Sequence, residues 1–147
     1  MNEQYIEFLT NHYLLSFSWV CVAFLLIQEL ISNSFNNYES ISPLVAVTKM
    51  GDDRLIVVDV RDSHEFLKSH IEEAQNIPLN KLEEQLSKLE KHKQHPIIVT
   101  CQTGARSAAA CKTLTKSGFT QVFNMTGGMQ SWEDNKLPIK ISNKIKN

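Results

Sequence analysis

The sequence is poor in cysteine, with only three among its 147 residues, at positions 21, 101 and 111. They form no C-x-x-C pair and no zinc-ligand spacing with the five histidines, which argues against a disulfide framework and against a metal site. An odd number of cysteines without such a framework is typical of reduced thiols in a reducing compartment. The cysteines are therefore candidates for core packing or thiol chemistry, and no cofactor is expected.

The chain also lacks an excess of charge of either sign. Fifteen Lys and Arg residues stand against 16 Asp and Glu residues, so the formal net charge is −1. This balance argues against a broad basic surface, and no nucleic-acid partner is expected. The basic residues are unevenly placed, however, because none precedes Lys49.

An uncharged run lies within the region that has no basic residues. Residues 13–31 read YLLSFSWVCVAFLLIQELI, and no charged side chain occurs between positions 14 and 27. As a helix, 19 residues span roughly 28 Å, close to the hydrocarbon thickness of a bilayer. We therefore predict a transmembrane helix over residues 13–31, between a short flank (1–12) and a polar tether (32–39).

Two alternatives to a membrane helix fit the run less well. A signal peptide would have a basic segment before the apolar run, and a buried core helix would be hard to cover in a domain this small. Because every Lys and Arg follows the run, the asymmetry favours a single-pass membrane protein with its C-terminal domain on the cytoplasmic side.

Beyond the tether, apolar runs alternate with capped or amphipathic segments. Continuous apolar runs and a β-rich segment predict buried strands over residues 55–60, 96–100 and 121–124. Capping residues and apolar periodicity predict helices over residues 43–50, 62–69, 80–91 and 107–117. This alternation predicts an α/β fold, in which a parallel sheet is flanked by helices on both faces.

The clearest chemical signal is the six-residue segment Cys101-Gln102-Thr103-Gly104-Ala105-Arg106, which directly follows the predicted strand 96–100. A small loop between a strand and a helix N-terminus directs backbone N–H groups at an anion, and a thiolate there is stabilised. The segment therefore predicts nucleophilic cysteine chemistry at Cys101. Cys111 lies inside the following helix at core spacing, and Cys21 lies in the apolar run, so neither is a candidate nucleophile.

Four groups of residues, in this order, resemble the motifs of the rhodanese domain. They are Val57-Val58-Asp59-Val60-Arg61 with Glu65-Phe66 and His70-Ile71; Ala74 with Asn76-Ile77-Pro78; Cys101-x-x-Gly104-x-Arg106-Ser107; and Gly118-Phe119, Val122 and Gly127-Gly128 with Trp132. The resemblance covers residues 40–139 and leaves a basic tail at 140–147. Ser69 and Glu73 occupy positions where the family usually has glycine, which puts the local turn geometry in question. The chain thus resembles a membrane-anchored, single-domain rhodanese with a three-layer α/β fold.

The resemblance implies a sulfurtransferase. Cys101 would take a sulfane sulfur from a small donor such as thiosulfate or a persulfide, hold it as a persulfide, and pass it to a thiol acceptor. The loop amides would hold the outer sulfur, and Arg106 would bind an anionic donor. Asp59, Arg61 and Ser107 would border the site, with an ion pair that pins the loops as the alternative to a catalytic role for the first two.

Two other functions are weighed against sulfur transfer. A non-catalytic interaction domain would use the anchor to place a partner at the membrane, although such domains often lack the cysteine. A cysteine phosphatase or arsenate reductase is less favoured, because related folds separate their cysteine and arginine by five residues. Only four residues separate Cys101 from Arg106, and a tetrahedral oxyanion needs a wider ring of amides than a single sulfur atom does.

Overall fold

The computed structural model describes residues 13–34 and 37–142. The predicted flank 1–12, two residues of the tether and the end of the basic tail lie outside these ranges. The described residues belong to two separate compact units, with the boundary between residues 36 and 37. The described residues of the first unit form one helix, and those of the second unit form the strands and the other helices.

Helix α1, Tyr13–Ser34, is 22 residues long and extends three residues beyond the predicted span, into the predicted tether. Large apolar side chains along it are exposed, with Trp19 at 77% and Phe17 at 69%. Among the described residues, no helix combines the length and the apolar character needed to cross a membrane. The helix is therefore confirmed, and the transmembrane span is not.

The second unit is built on a five-stranded parallel sheet. Its strands are β1 Glu39–Ile41, β2 Ile56–Asp59, β3 Gln75–Asn76, β4 Pro96–Thr100 and β5 Gln121–Met125, in the spatial order β1-β5-β4-β2-β3. Its α-helices are α2 Pro43–Lys49, α3 Ser63–Lys68, α4 Ala105–Lys116 and α5 Gly128–Asp134, and two 3-10 helices span Leu79–Lys81 and Leu86–His92. The predicted α/β fold with a parallel sheet is confirmed.

Each face of the sheet has its own apolar core, because successive side chains of a strand point to opposite faces. In β4, Ile97 and Val99 belong to a cluster that includes Ala110 and Leu114 of α4. The intervening Ile98 belongs to a second cluster, which includes Ala46 of α2 and Met129 and Trp132 of α5. Helices therefore cover both faces, as the alternating sequence pattern predicted.

Local capping signals are confirmed at two helix starts. Ser42 is the N-cap of α2, where its side chain accepts a hydrogen bond from the Val45 amide at 3.4 Å, and Pro43 is the first helical residue. Asp62 caps α3 in a capping box with Glu65, which satisfies backbone donors that would otherwise lack partners.

The structure corrects the prediction of one helix over residues 80–91. Two 3-10 helices replace it, and Gln85, with φ −105° and ψ 8°, interrupts the helical backbone between them. Leu82 and Leu89 are nevertheless buried as the apolar pattern indicated. The side chains thus obey the core pattern while the backbone follows a tighter and irregular path.

Three short elements have no counterpart in the sequence predictions. They are β1, which begins within the predicted tether, β3 and α5. With two to seven residues each, these elements are too short to show a clear hydrophobic period. Their positions depend on pairing and packing with distant segments, such as that of β1 with β5.

The two positions that depart from the family glycine pattern behave differently. Ser69 is extended, with φ −160°, a conformation open to any residue. Glu73 has φ +63°, so the turn keeps a left-handed backbone even though its residue has a Cβ. Such a residue costs roughly 1–2 kcal/mol relative to glycine.

Candidate active site

Cys101 lies immediately after β4, at the carboxyl edge of the sheet, and α4 begins four residues later. Gly104 is the N-cap of α4 with φ +101° and ψ −11°, a left-handed conformation that suits glycine. Cys101 is 1% exposed, while Thr103 and Ala105 of the same loop are exposed. The loop therefore wraps the sulfur from one side and meets solvent on the other.

The sulfur of Cys101 accepts two directed hydrogen bonds, one from the loop and one from the first turn of α4. The Gly104 amide donates to Sγ at 3.1 Å, and the Ser107 hydroxyl lies 3.4 Å from Sγ. Burial alone would raise the pKa of Cys101, and it is the largest single influence. Hydrogen bonds from Ser107, Gly104 and Thr103 together outweigh it, so the pKa of Cys101 is lowered. The site thus favours the nucleophilic thiolate.

The Ser107 hydroxyl has one proton and two acceptors within reach. Besides Sγ, it lies 3.1 Å from the carbonyl oxygen of Gly104. That oxygen also accepts from the Ala108 amide at 3.1 Å and from the Asn124 side-chain amide at 3.5 Å. Since a carbonyl oxygen has two lone pairs, these donors leave the Ser107 proton available to the sulfur.

Asn124, on β5, is a site neighbour that the sequence analysis did not identify. It is 7% exposed, and its Oδ1 has no hydrogen-bond partner among the described residues. A polar residue at position 124 follows Val122 in the strand's alternation, so it would be expected to share a face with that buried valine. This alternation is the one feature of the sequence that points to a buried side chain at Asn124.

Arg106 does not stand free to receive an anion. Its guanidinium donates two hydrogen bonds to the Glu65 carboxylate, at 2.8 and 2.9 Å, and lies 3.9 Å from Asp62. These hydrogen bonds lower the pKa of Glu65 to about 2, and the same pairing raises the pKa of Arg106. Arg106 therefore ties α4 to α3, and its charge is already matched by a carboxylate.

Asp59 and Arg61 form a buried ion pair beside the loop. The Arg61 Nη2 to Asp59 Oδ2 distance is 2.7 Å, and the two side chains are 2% and 0% exposed. The Arg61 guanidinium also donates to the Gln102 side chain at 3.1 Å and to the Ser69 carbonyl at 2.6 Å. The pair thus pins the active-site loop to the turn after α3, which confirms the ion-pair interpretation of these residues.

The start of α5 forms the back of the active-site loop. The Met129 amide donates to the Cys101 carbonyl at 2.7 Å, and the Gln130 amide donates to the Gln102 carbonyl at 3.1 Å. A Cβ at Gly128 would lie 2.3 Å from the Cys101 carbonyl oxygen, which is a severe clash. The glycine pair therefore does more than turn the chain, because Gly128 allows α5 to reach the loop.

The other singled-out residues have structural roles. Cys111 is fully buried, and its burial raises its pKa well above the usual range of a thiol, so the predicted core role is confirmed.

His70 Nδ1 lies 2.8 Å from the Phe66 carbonyl oxygen, and its ring stacks on Phe66. Trp132 is buried in the second core and donates to the Pro138 carbonyl. Cys21 is exposed on α1.

Comparison with known proteins agrees with this architecture. Residues 42–135 match the family model of the Rhodanese-like domain. The thiosulfate sulfurtransferase GlpE of Coxiella burnetii is 31% identical over 96 residues, which cover 65% of this chain and 88% of the relative.

Two solved structures are also similar. A rhodanese-related protein from Thermoplasma volcanium has a TM-score of 0.64 and 32% identity, covering 71% of this chain and 99% of its own. The 30 kDa polysulfide-sulfur transferase homodimer of Wolinella succinogenes has a TM-score of 0.65 and 27% identity, covering 84% and 93%.

Proposed function

The chain belongs to the Rhodanese-like domain family, and from this premise we propose that it is a sulfurtransferase that carries sulfane sulfur, from a donor such as thiosulfate, on Cys101. The observation that carries the proposal is the Cys101 sulfur, held at 3.1 Å from the Gly104 amide and at 3.4 Å from the Ser107 hydroxyl. Those donors stabilise a negative sulfur before the reaction and a negative outer sulfur after it.

The reaction proceeds in two displacements at sulfur. The Cys101 thiolate attacks the outer sulfur of the donor, a new S–S bond forms, and the donor's own S–S bond breaks. With thiosulfate the bonding pair leaves with sulfite, so charge is conserved. An acceptor thiolate then attacks the outer sulfur of the Cys101 persulfide, and Cys101 leaves again as a thiolate.

We also propose that α1 attaches this activity to a membrane, with the domain from residue 37 onward on the cytoplasmic side. The support is the uncharged run at 14–27, the exposed apolar side chains of α1, and the absence of Lys and Arg before Lys49. Retention of the full chain in the membrane pellet after a carbonate wash is the expected result. Release by the wash, or activity of a periplasm-specific reporter fused to the C-terminus, would contradict the respective half of this proposal.

The two buried cysteines provide a matched test of sulfur transfer. Cys101→Ser should abolish sulfur transfer from thiosulfate to cyanide, because a hydroxyl is far less nucleophilic and forms no persulfide. Cys111→Ser should keep most of the activity, with a loss of roughly 1 kcal/mol or more in the free energy of unfolding from its apolar site. A mass increase of one sulfur on the Cys101 peptide would identify the intermediate directly.

Three results would contradict this assignment or favour one of the other functions. Activity that survives in Cys101→Ser and is lost in Cys111→Ser would make the assignment of the nucleophile wrong. A wild-type protein that takes sulfur from no donor would favour the interaction domain. Turnover of aryl phosphates at a rate comparable to that of a cysteine phosphatase would contradict the argument from the six-residue loop.

A further inference from the structure

We propose that the active site discriminates by charge among sulfane donors, preferring donors with at most one negative charge over dianionic thiosulfate. This inference rests on the proposed sulfur transfer and names the class of donor for the same site. It follows from how the cations around Cys101 are paired.

Arg106, the one cation of the active-site loop, is already matched. Its two hydrogen bonds to Glu65 are at 2.8 and 2.9 Å, and Asp62 adds a second carboxylate at 3.9 Å. An anionic donor would therefore have to compete with two carboxylates for this guanidinium. The other residues of the loop, 102–105, carry no charge.

Arg61, the second cation beside the loop, is likewise unavailable. Its guanidinium pairs with the buried Asp59 carboxylate at 2.7 Å. It also donates hydrogen bonds to the Gln102 side chain and to the Ser69 carbonyl oxygen. The Ser69 hydroxyl in turn donates to the Glu133 carboxylate at 2.9 Å, which brings another acid to this network.

The contacts of Arg106 and those of Arg61 together include four carboxylates and two guanidinium groups, and the Cys101 thiolate adds one more negative charge. Lys68, the one lysine of α3, lies at the opposite end of that helix from Asp62 and forms no ion pair with these carboxylates in the described part of the chain. The charged side chains that border the active-site loop thus sum to a negative excess, and each unit of charge on a donor adds to the repulsion from that excess.

Thiosulfate and methanethiosulfonate form a matched pair of probes. Each gives its outer sulfur to the Cys101 thiolate, with loss of sulfite and methanesulfinate respectively, but the first carries two negative charges and the second carries one. Because their intrinsic reactivities differ, the informative quantity is the change in kcat/KM with sodium chloride. Screening of a repulsion raises kcat/KM with salt, whereas screening of an attraction lowers it.

For the full-length wild-type protein we expect kcat/KM for thiosulfate to rise with salt, and to rise more steeply than kcat/KM for methanethiosulfonate. A flat or falling profile for thiosulfate would overturn the charge proposal while leaving sulfur transfer intact. Absence of persulfide formation with both donors would instead contradict the proposed function itself.

A variant of the carboxylate that holds Arg106 provides the second arm of the test. Glu65→Gln removes the charge but keeps a side chain suited to the capping box of α3, so α3 should still form. It should raise kcat/KM for thiosulfate relative to methanethiosulfonate by roughly fivefold, the effect of one unit charge about 4 Å away in bulk water. Glu84→Gln, which removes an exposed carboxylate outside the network, should leave the ratio unchanged. An equal ratio in both variants would contradict the proposal.

Discussion

At the residue scale, the Ser107 hydroxyl is one of the groups that lower the pKa of Cys101. Ser107 lies within reach of both the Cys101 sulfur and the Gly104 carbonyl oxygen, and other donors already serve that oxygen. Hydrogen bonds to a charged group are stronger than those between neutral groups. The proton is therefore most effective on the thiolate, which makes Ser107 a positioning residue whose influence acts through sulfur.

We predict that Ser107→Ala shifts the pH profile of Cys101 alkylation by iodoacetamide to higher pH, since one of the groups that lower the pKa of Cys101 is removed. The rate of persulfide formation at neutral pH should fall by roughly tenfold, equivalent to the loss of one hydrogen bond to a charged group. Ser117→Ala, at the other end of α4, is the control and should leave the profile unchanged. An unshifted profile in Ser107→Ala would show that the Ser107 hydroxyl does not lower the pKa of Cys101.

Gly128 and Gly118 separate the cost of backbone conformation from the cost of a clash. Both have positive φ, +56° and +91°, but a Cβ at Gly118 meets nothing within 4 Å while one at Gly128 would meet the Cys101 carbonyl oxygen. We predict that each alanine variant loses about 1 kcal/mol or more of unfolding free energy from backbone strain. Gly128→Ala should in addition lose most sulfur transfer, and Gly118→Ala should keep it. Equal activities would show that the close approach of α5 is dispensable.

At the scale of elements, the ion pair between Glu65 and Arg106 couples α3 to α4. The pKa of Glu65 is about 2 in the folded protein, against a usual value of 4.5, chiefly because of the hydrogen bonds from Arg106. A carboxyl with a depressed pKa binds its proton more readily in the unfolded chain. The pair therefore contributes its full stability above about pH 4.5 and loses it as the pH falls toward 2.

The pH dependence of unfolding should show this coupling. We predict that Glu65→Gln is less stable than the wild type at pH 7 in urea unfolding, because the charge on one partner is gone. The difference should narrow as the pH falls from about 4.5 toward 2, since the wild-type carboxyl is then protonated as well. A stability difference that stays constant over this window would show that the pair contributes through packing alone.

At the scale of the whole molecule, the domain boundary lies earlier than the predicted residue 40. Strand β1 begins at Glu39 and pairs with β5 along the edge of the sheet. Ile41 is 4% exposed, belongs to the second core, and its carbonyl accepts from the Thr126 amide at 2.8 Å. The strand is therefore part of the folded domain, although its sequence is polar and short.

We predict that a fragment from Asn37 to the C-terminus folds and transfers sulfur, because both apolar cores lie within it. A fragment from Ser42 onward should be less stable by roughly 2–4 kcal/mol, from the loss of the buried Ile41 side chain and of the pairing with β5. Thermal or urea unfolding of the two fragments measures the difference. Equal stabilities would show that β1 is dispensable.

The features that depend on near neighbours in the chain were predictable from the amino-acid pattern. Continuous apolar runs located β2 and β4, Ser42 and Asp62 marked two helix starts, and the segment that begins at Cys101 identified the nucleophile as a candidate. Each of these follows from hydrophobic periodicity or from capping within three or four residues, which is information that a linear pattern contains.

The groups that reach the sulfur from distant parts of the chain are brought there by the fold. Arg106 pairs with Glu65, 41 positions away, and Gly128 closes on the Cys101 carbonyl. These contacts exist because the order β1-β5-β4-β2-β3 places the ends of β2, β4 and β5 at one edge of the sheet. Periodicity gives the face of a strand but not its neighbours, so the sequence predicted the nucleophile while the fold assigned its surrounding charges.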